Sequence, residues 1–230
     1  MEGVVTVFYG LYGSGKSEIA INYGLSMARE GRRVFLVDLD AVTPYFRIRD
    51  VRQVISSRGV QVVAPKESIR YADLPVLPEG MRRILTQRSG FVVVDSGGDP
   101  TGARVLGGLR DALAPCARGL FVVNFRRPFT RDVEGAVAAL DQIMGASGLM
   151  ATGIVSNTHL CDQTDVSHVI DGFILCREFS ERVGLPVEFV GVPLWLRERE
   201  PDIRAHVGDM PILWLERLLR KPWEAEELGG

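Results

Sequence analysis

The sequence predicts a single doubly wound α/β domain, a mostly parallel β-sheet with helices on both faces, spanning residues 1–230. Three observations predict it. The chain is long enough for one substantial core. Short β-branched apolar runs alternate with segments of helical periodicity. A glycine-rich turn joins the first such run to the first such helix.

The candidate strands are Val4–Tyr9, Arg33–Asp38, Gln61–Ala64, Phe91–Asp95, Gly119–Asn124, Gly153–Asn157 and Val187–Gly191. Most are continuously apolar, as expected of parallel strands covered on both faces. Between them, Ser17–Glu30 sets Ala20, Gly24, Met27 and Ala28 on one helical face and stops before Gly31. Arg131–Met144 repeats Val133, Val137, Leu140 and Met144 at helical spacing, again before a glycine. Val166–Val183 repeats Val169, Phe173, Cys176, Phe179 and Val183, and closes at Gly184 with Pro186 just beyond, a helix-stop signature. The stretch "PILWLERLLRKPW" aligns Ile212, Leu215, Leu218 and Leu219, which predicts a terminal helix over about 211–221 docked on the core. Pro222 and the acidic "EAEE" after it argue against insertion into an anionic membrane. Pro65–Gly80 is proline-rich and long for a connection, and reads either as a surface excursion or as a lid or partner arm.

Hydrophobic residues make up 46% and charged residues 24%, with a net charge of −2. This is the profile of an ordinary globular protein and lacks the basic excess of a nucleic-acid binder. No apolar run approaches the ~20 residues that cross a bilayer, so a cytoplasmic protein is expected. Cys116, Cys161 and Cys176 are far apart and are read as buried small apolar residues, Cys161 least securely because it falls in a polar stretch. His159, His168 and His206 share no metal-ligand spacing, and His159, close behind Asn157, is read as a solvated loop residue in preference to one that borders the base.

Gly10-Leu-Tyr-Gly-Ser-Gly-Lys16-Ser17 fits G-x-x-x-x-G-K-[ST] at each fixed position, after a strand and opening a helix. In such a phosphate-binding loop the glycines turn successive N–H groups inward, and the helix N-terminus adds partial positive charge. Gly10, Gly13, Ser14, Gly15, Lys16, Ser17 and Glu18 are therefore the candidate phosphate cradle, with Lys16 on the outer phosphates and the Ser17 hydroxyl on Mg²⁺. "FVVVDSGGD" supplies a second acid, Asp95, at the end of an apolar run, with Gly98 free to approach a γ-phosphate and Asp99 close by. "VFLVDLDAVTPYFRIRD" ends another run with Asp38 and Asp40, candidates for the metal shell or for orienting water.

Together "GLYGSGKS", "VDLDAVTPYFR" and "VVVDSGGD" resemble the Min/ParA-type ATPases of the SIMIBI class of P-loop NTPases, over roughly residues 1–195. The resemblance implies that Asp40 positions the attacking water, that Asp95 stands near magnesium, and that Gly98 meets the γ-phosphate. It implies that Asn157 reads the base and that Pro193 lies over it, and it pairs Asp99 with Asp95 in a D-x-x-G-D spacing. Lys16, Asp40 and Asp99 are then the catalytic candidates, and Ser17, Asp40 and Asp95 the Mg²⁺ ligands. The ligand implied is ATP or ADP with Mg²⁺. The activity implied is slow ATP hydrolysis in a nucleotide-dependent switch, serving positioning or metal-enzyme maturation with an unidentified protein partner. Leu11 replaces the lysine that many members send across a dimer, which leaves open a homodimer that uses other groups. A small-molecule kinase or ligase, closed by Arg126, Arg127 and Arg131, and a non-hydrolysing or membrane-associated binding module are the alternatives.

Overall fold

The computed structural model describes residues 5–40, 47–64, 80–81, 83–84, 90–113 and 117–220. Among the described residues, eight strands form one sheet: β1 (Val5–Tyr9), β2 (Val34–Asp38), β3 (Val60–Val63), β4 (Phe91–Asp95), β5 (Ala117–Val123), β6 (Gly153–Ser156), β7 (Val187–Pro193) and β8 (Ile212–Leu215). Their order is β3-β2-β4-β1-β5-β6-β7-β8, and every neighbouring pair is parallel. The helices are α1 (Lys16–Arg29), α2 (Arg52–Ser57), α3 (Pro100–Gly107), α4 (Arg110–Leu113), α5 (Val133–Ser147), α6 (Val166–Val183) and α7 (Glu200–Val207).

The unbroken apolar runs have a simple cause. Val5, Val7 and Tyr9 of β1 join one core with Phe35, Val37, Val92, Val94, Phe121 and Val123. Phe8 turns to the opposite core with Leu36, Val93, Leu120 and Val122. Side chains alternate along a strand, so a sheet roofed on both faces needs an apolar residue at every step. Helix α1 fills the second core through Ile19, Ala20 and Leu25, while α3 and α5 fill the first through Leu106, Leu140 and Ile143. Because β1 is followed by a helix on one face and β5 by a helix on the other, the crevice beyond the ends of β1 and β5 is where such sheets take ligands.

Helix α5 continues past the expected stop at Met144 to Ser147 and ends against Gly148. Its buried face is Ala136, Ala139, Leu140 and Ile143, with Val133, Val137 and Met144 only partly covered. Helix α6 matches the expected range, fixed at its start by a reciprocal cap: the Asp165 carboxylate accepts the His168 N–H at 3.1 Å, and His168 Nδ1 accepts the Asp165 N–H at 3.2 Å.

The expected terminal helix over 211–221 is a strand instead. Ile212, Leu213, Trp214 and Leu215 pair in parallel with Val190, Gly191, Val192 and Pro193. Ile212 and Trp214 pack with the α6–α7 cluster and Leu213 and Leu215 with the α1 core. Four consecutive apolar residues satisfy a period of two as well as 3.6, and the open edge of β7 supplies ladder partners that a helix would leave unpaired. Cys176 is buried as expected, Cys161 is exposed, and Cys116 lies outside the described residues. The Pro65–Gly80 arm lies almost wholly outside them as well. Among the described residues, no helix is long and apolar enough to cross a membrane.

Candidate functional site

Residues 10–15 connect β1 to α1, and this turn borders a cavity of about 380 Å³ lined by Tyr12, Gly13, Gly15, Lys16, Ser17 and Asp40. Asn157, His159, Pro193, Trp195, Arg217 and Leu219 line it as well, with Asn157 and His159 close against Gly15. The cradle is therefore assembled from the ends of several strands, with β1 at its centre.

Gly15 holds the turn in a left-handed conformation, φ +80°, and a Cβ there would fall 2.4 Å from Asn157 Nδ2 and 2.8 Å from His159 Nε2. No residue with a side chain fits. Neighbouring loops brace the turn from behind: Asn157 Nδ2 donates to the Ser14 carbonyl at 2.8 Å, and Asn124 Nδ2 and Arg127 Nε donate to the Gly13 carbonyl at 3.2 and 2.9 Å. The Ser14 N–H closes the turn onto the Leu11 carbonyl at 3.1 Å, and with the Gly13 and Ser14 carbonyls tied to neighbouring loops the other turn amides are the donors that a bound phosphate would meet.

Lys16 is only 5% exposed. A Cβ on Gly98 would come within 2.7 Å of Lys16 Nζ and 2.9 Å of the Tyr12 nitrogen, so the glycine lets the segment after β4 reach the lysine head and the turn amide together. Asp95 lies beneath them, buried, with its Oδ1 lacking a hydrogen-bond partner. Burial pushes its carboxyl up to about 8, against the opposing pull of Lys16 and of the Ser17 hydroxyl, while Asp38 and Asp40 push it further up. A buried carboxylate oxygen without a donor, a hydroxyl beside it and a second buried acid, Asp40, are the oxygen donors that Mg²⁺ takes. Among the described residues no group of three or more His, Cys, Asp or Glu could hold a metal alone, so phosphate oxygens and water would complete the shell.

Several expected roles are altered by contacts that sequence spacing does not reveal. Asp38 is fully buried, accepts the Asp40 N–H at 3.0 Å and is clasped by Arg49 through Nε at 2.9 Å and Nη2 at 3.3 Å. Burial raises its carboxyl and Arg49 pulls it back down, so the pair is a structural staple that positions Asp40. Asp99 caps α3, its Oδ1 accepting the Gly102 N–H at 2.6 Å. Glu18 also lines the cavity, but its carboxylate is taken up by backbone amides: Oε1 accepts the Leu218 N–H at 2.7 Å and Oε2 the Leu219 N–H at 3.2 Å. Leu11 packs against the first core. Of the three arginines of the kinase reading, Arg127 alone lines this cavity, where it braces Gly13, while Arg126 pairs with Asp171 and Arg131 with Asp132.

His159 lines the cavity, which favours the alternative to the solvated-loop reading. Its Nδ1 accepts the Cys161 N–H at 3.3 Å and its Nε2 is buried without a partner. Burial, followed by the charges of Arg127 and Arg217, lowers its pKa to about 4. Its place two residues beyond the end-of-strand Asn157 was the available signal. Trp195 and Arg217 had none, since only the fold brings β7 and β8 to the loop in front of β1. Trp195 is set by its Nε1 donating to the Thr164 carbonyl at 3.3 Å, and Arg217 by an ion pair with Asp162.

No family model matches the chain, and no curated protein matches it. Solved structures do. The 54 kDa protein of the signal recognition particle from Aeropyrum pernix, in complex with GDP, superposes with a TM-score of 0.56 at 18% identity, over 83% of this chain and 41% of that one. FtsY from Elizabethkingia anophelis, also with GDP, gives 0.53 at 20% identity over 84% and 57%. FtsY from Thermotoga maritima gives 0.54 at 21% over 83% and 62%. The chain thus spans about two fifths to three fifths of the length of these proteins, and at these identities the likeness establishes the fold. It corrects the Min/ParA resemblance: the similar structures are signal-recognition proteins, and those named with a ligand hold GDP. The expectations of ATP or ADP as ligand, of ATP-binding and of an ATP hydrolase are corrected with it. Asn157, which the resemblance made a reader of the base, lines the cavity, is 2% exposed and gives its amide to the Ser14 carbonyl, so in this structure it braces the loop.

Proposed function

We propose that the chain is a guanine-nucleotide switch, a P-loop domain that holds GDP or GTP with Mg²⁺ beyond the end of β1 and alters its contact with a protein partner between the two forms. The observation that carries the reading is the buried Lys16 head group, set between the Tyr12 amide and Gly98 above the unpartnered Asp95 oxygen. Such a cluster is costly in an empty protein and is compensated by bound phosphate and cation. The guanine base is supported by the GDP complexes among the similar structures, and a cytoplasmic setting accords with the composition.

In this reading the turn amides and Lys16 bind the β- and γ-phosphates, while Ser17, Asp95 and Asp40 hold Mg²⁺, which supplies charge neutralisation at the phosphate oxygens. Asp40, steadied by the Asp38–Arg49 staple, orients the water that attacks the γ-phosphorus of GTP, releasing GDP and inorganic phosphate. Phosphoryl transfer needs mainly positioning and charge stabilisation from the protein. Pro193 and Trp195 flank the base end. Titration of the protein with fluorescent GDP in the presence of Mg²⁺ tests this. Binding is expected, and Lys16→Ala is expected to weaken it at least tenfold, about 1.4 kcal/mol. Equal or tighter binding of ADP overturns the guanine assignment, and failure to bind either nucleotide overturns the site.

A further inference from the structure

We propose that residues 216–219 form a strap whose docking on α1 is coupled to nucleotide retention, with Glu18 as the positioning residue that joins the two. The inference rests on the nucleotide reading above and adds to it a way in which the bound state is held.

Beyond β8 the chain has no helix or strand of its own through residue 220, and it crosses the first turns of α1. Two α1 side chains hold it there. Asn22 Oδ1 accepts the Glu216 N–H and Asn22 Nδ2 donates to the Glu216 carbonyl, both at 3.0 Å, so the side-chain amide imitates a neighbouring strand. One turn earlier, the two oxygens of Glu18 accept the N–H groups of Leu218 and Leu219. Residues four apart on a helix share a face, so the strap follows the helix axis toward the phosphate turn. Leu219 is buried in the α1 core, Glu216 pairs with Arg58 at 2.5 Å, and Arg217 reaches across to Asp162 in front of β6.

The placement has a consequence for the ligand. Leu215, Arg217 and Leu219 line the same cavity as Lys16 and Ser17. The strap is thus a wall of the nucleotide pocket, and the clamp on it starts at the residue next to Ser17. Undocking removes that wall and leaves the buried Glu18 carboxylate without its two donors, which opposes opening. A nucleotide that favours the docked strap must itself be favoured by docking to the same factor.

The test compares Glu18→Ala with Leu218→Pro, which deletes a donor on the strap without touching the phosphate turn, and with the double variant. The readouts are the release rate of fluorescent GDP and amide hydrogen exchange in the strap, with and without GDP. Both single variants are expected to release GDP about tenfold faster, in keeping with the loss of buried hydrogen bonds. The double variant should add little, and GDP should slow strap exchange in the unmodified protein. Release at the unmodified rate from Leu218→Pro, while exchange at Leu219 accelerates, overturns the coupling and leaves the strap a simple brace. In that case the nucleotide reading stands. An unmodified protein that holds no GDP overturns the nucleotide reading and the coupling together.

Discussion

Asn157→Ala removes the donor that satisfies the Ser14 carbonyl at 2.8 Å, in a place where the asparagine is 2% exposed. An orphaned buried acceptor costs about 1–3 kcal/mol. The space vacated between Gly15 and Gly191, both of which the asparagine amide closely approaches, adds to this. A total of about 2 kcal/mol is expected, and for a domain of this size it lowers the melting temperature by roughly 4–8 °C. The assay has two halves. Thermal unfolding of the nucleotide-free protein reads the brace, and titrations with GDP and ADP read the base. A brace acts through the phosphate turn, which both nucleotides share, so both affinities should fall by one factor while their ratio is kept. An unchanged melting temperature together with an altered GDP-to-ADP ratio refutes the reasoning and returns Asn157 to base recognition.

Two further outcomes follow from side chains in or near the site. Asp99→Ala should destabilise the protein by about 0.5–2 kcal/mol in urea unfolding through loss of the α3 cap, and Asp99→Ser should restore most of it, because a cap needs only an acceptor. The depressed His159 pKa, about 4 against 6.5 for a free imidazole, makes stability depend on pH. Below 6.5 the unfolded chain takes up a proton that the folded site refuses until about 4, so stability is intact above 6.5 and falls as the pH drops toward 4. The loss is at most about 3 kcal/mol. Urea midpoints at pH 7.5 and 5 should differ less in His159→Gln than in the unmodified protein, and an equal difference would remove His159 as the cause.

The elements that were legible are those whose local signal and tertiary role agree. Helix α6 has the expected range because its apolar residues fit a period of 3.6 only and Asp165 marks the helix start chemically, and strand β4 has it because three successive β-branched valines favour a strand where an apolar run alone would not decide. The 212–215 segment was misread because its four apolar residues fit either period, and the edge of β7 chose between them. The same distinction runs through the site. Gly15, Lys16 and Ser17 were legible because phosphate binding demands a contiguous stretch with fixed spacing. Asp38 and Asp99 were credited with chemistry because an acid after a strand looks alike whether it faces a ligand, an arginine or a helix amide.

What the sequence by itself determined is the alternating α/β pattern and the phosphate turn, since both are written in residues close together along the chain. The tertiary structure alone decided that Asn157 braces the turn, that His159, Trp195 and Arg217 share its cavity, and that Glu18 holds residues 218 and 219. Those contacts join residues as much as 201 positions apart. Their partners are backbone carbonyls and amides that every residue carries, so no residue type announces them before the sheet has brought them together.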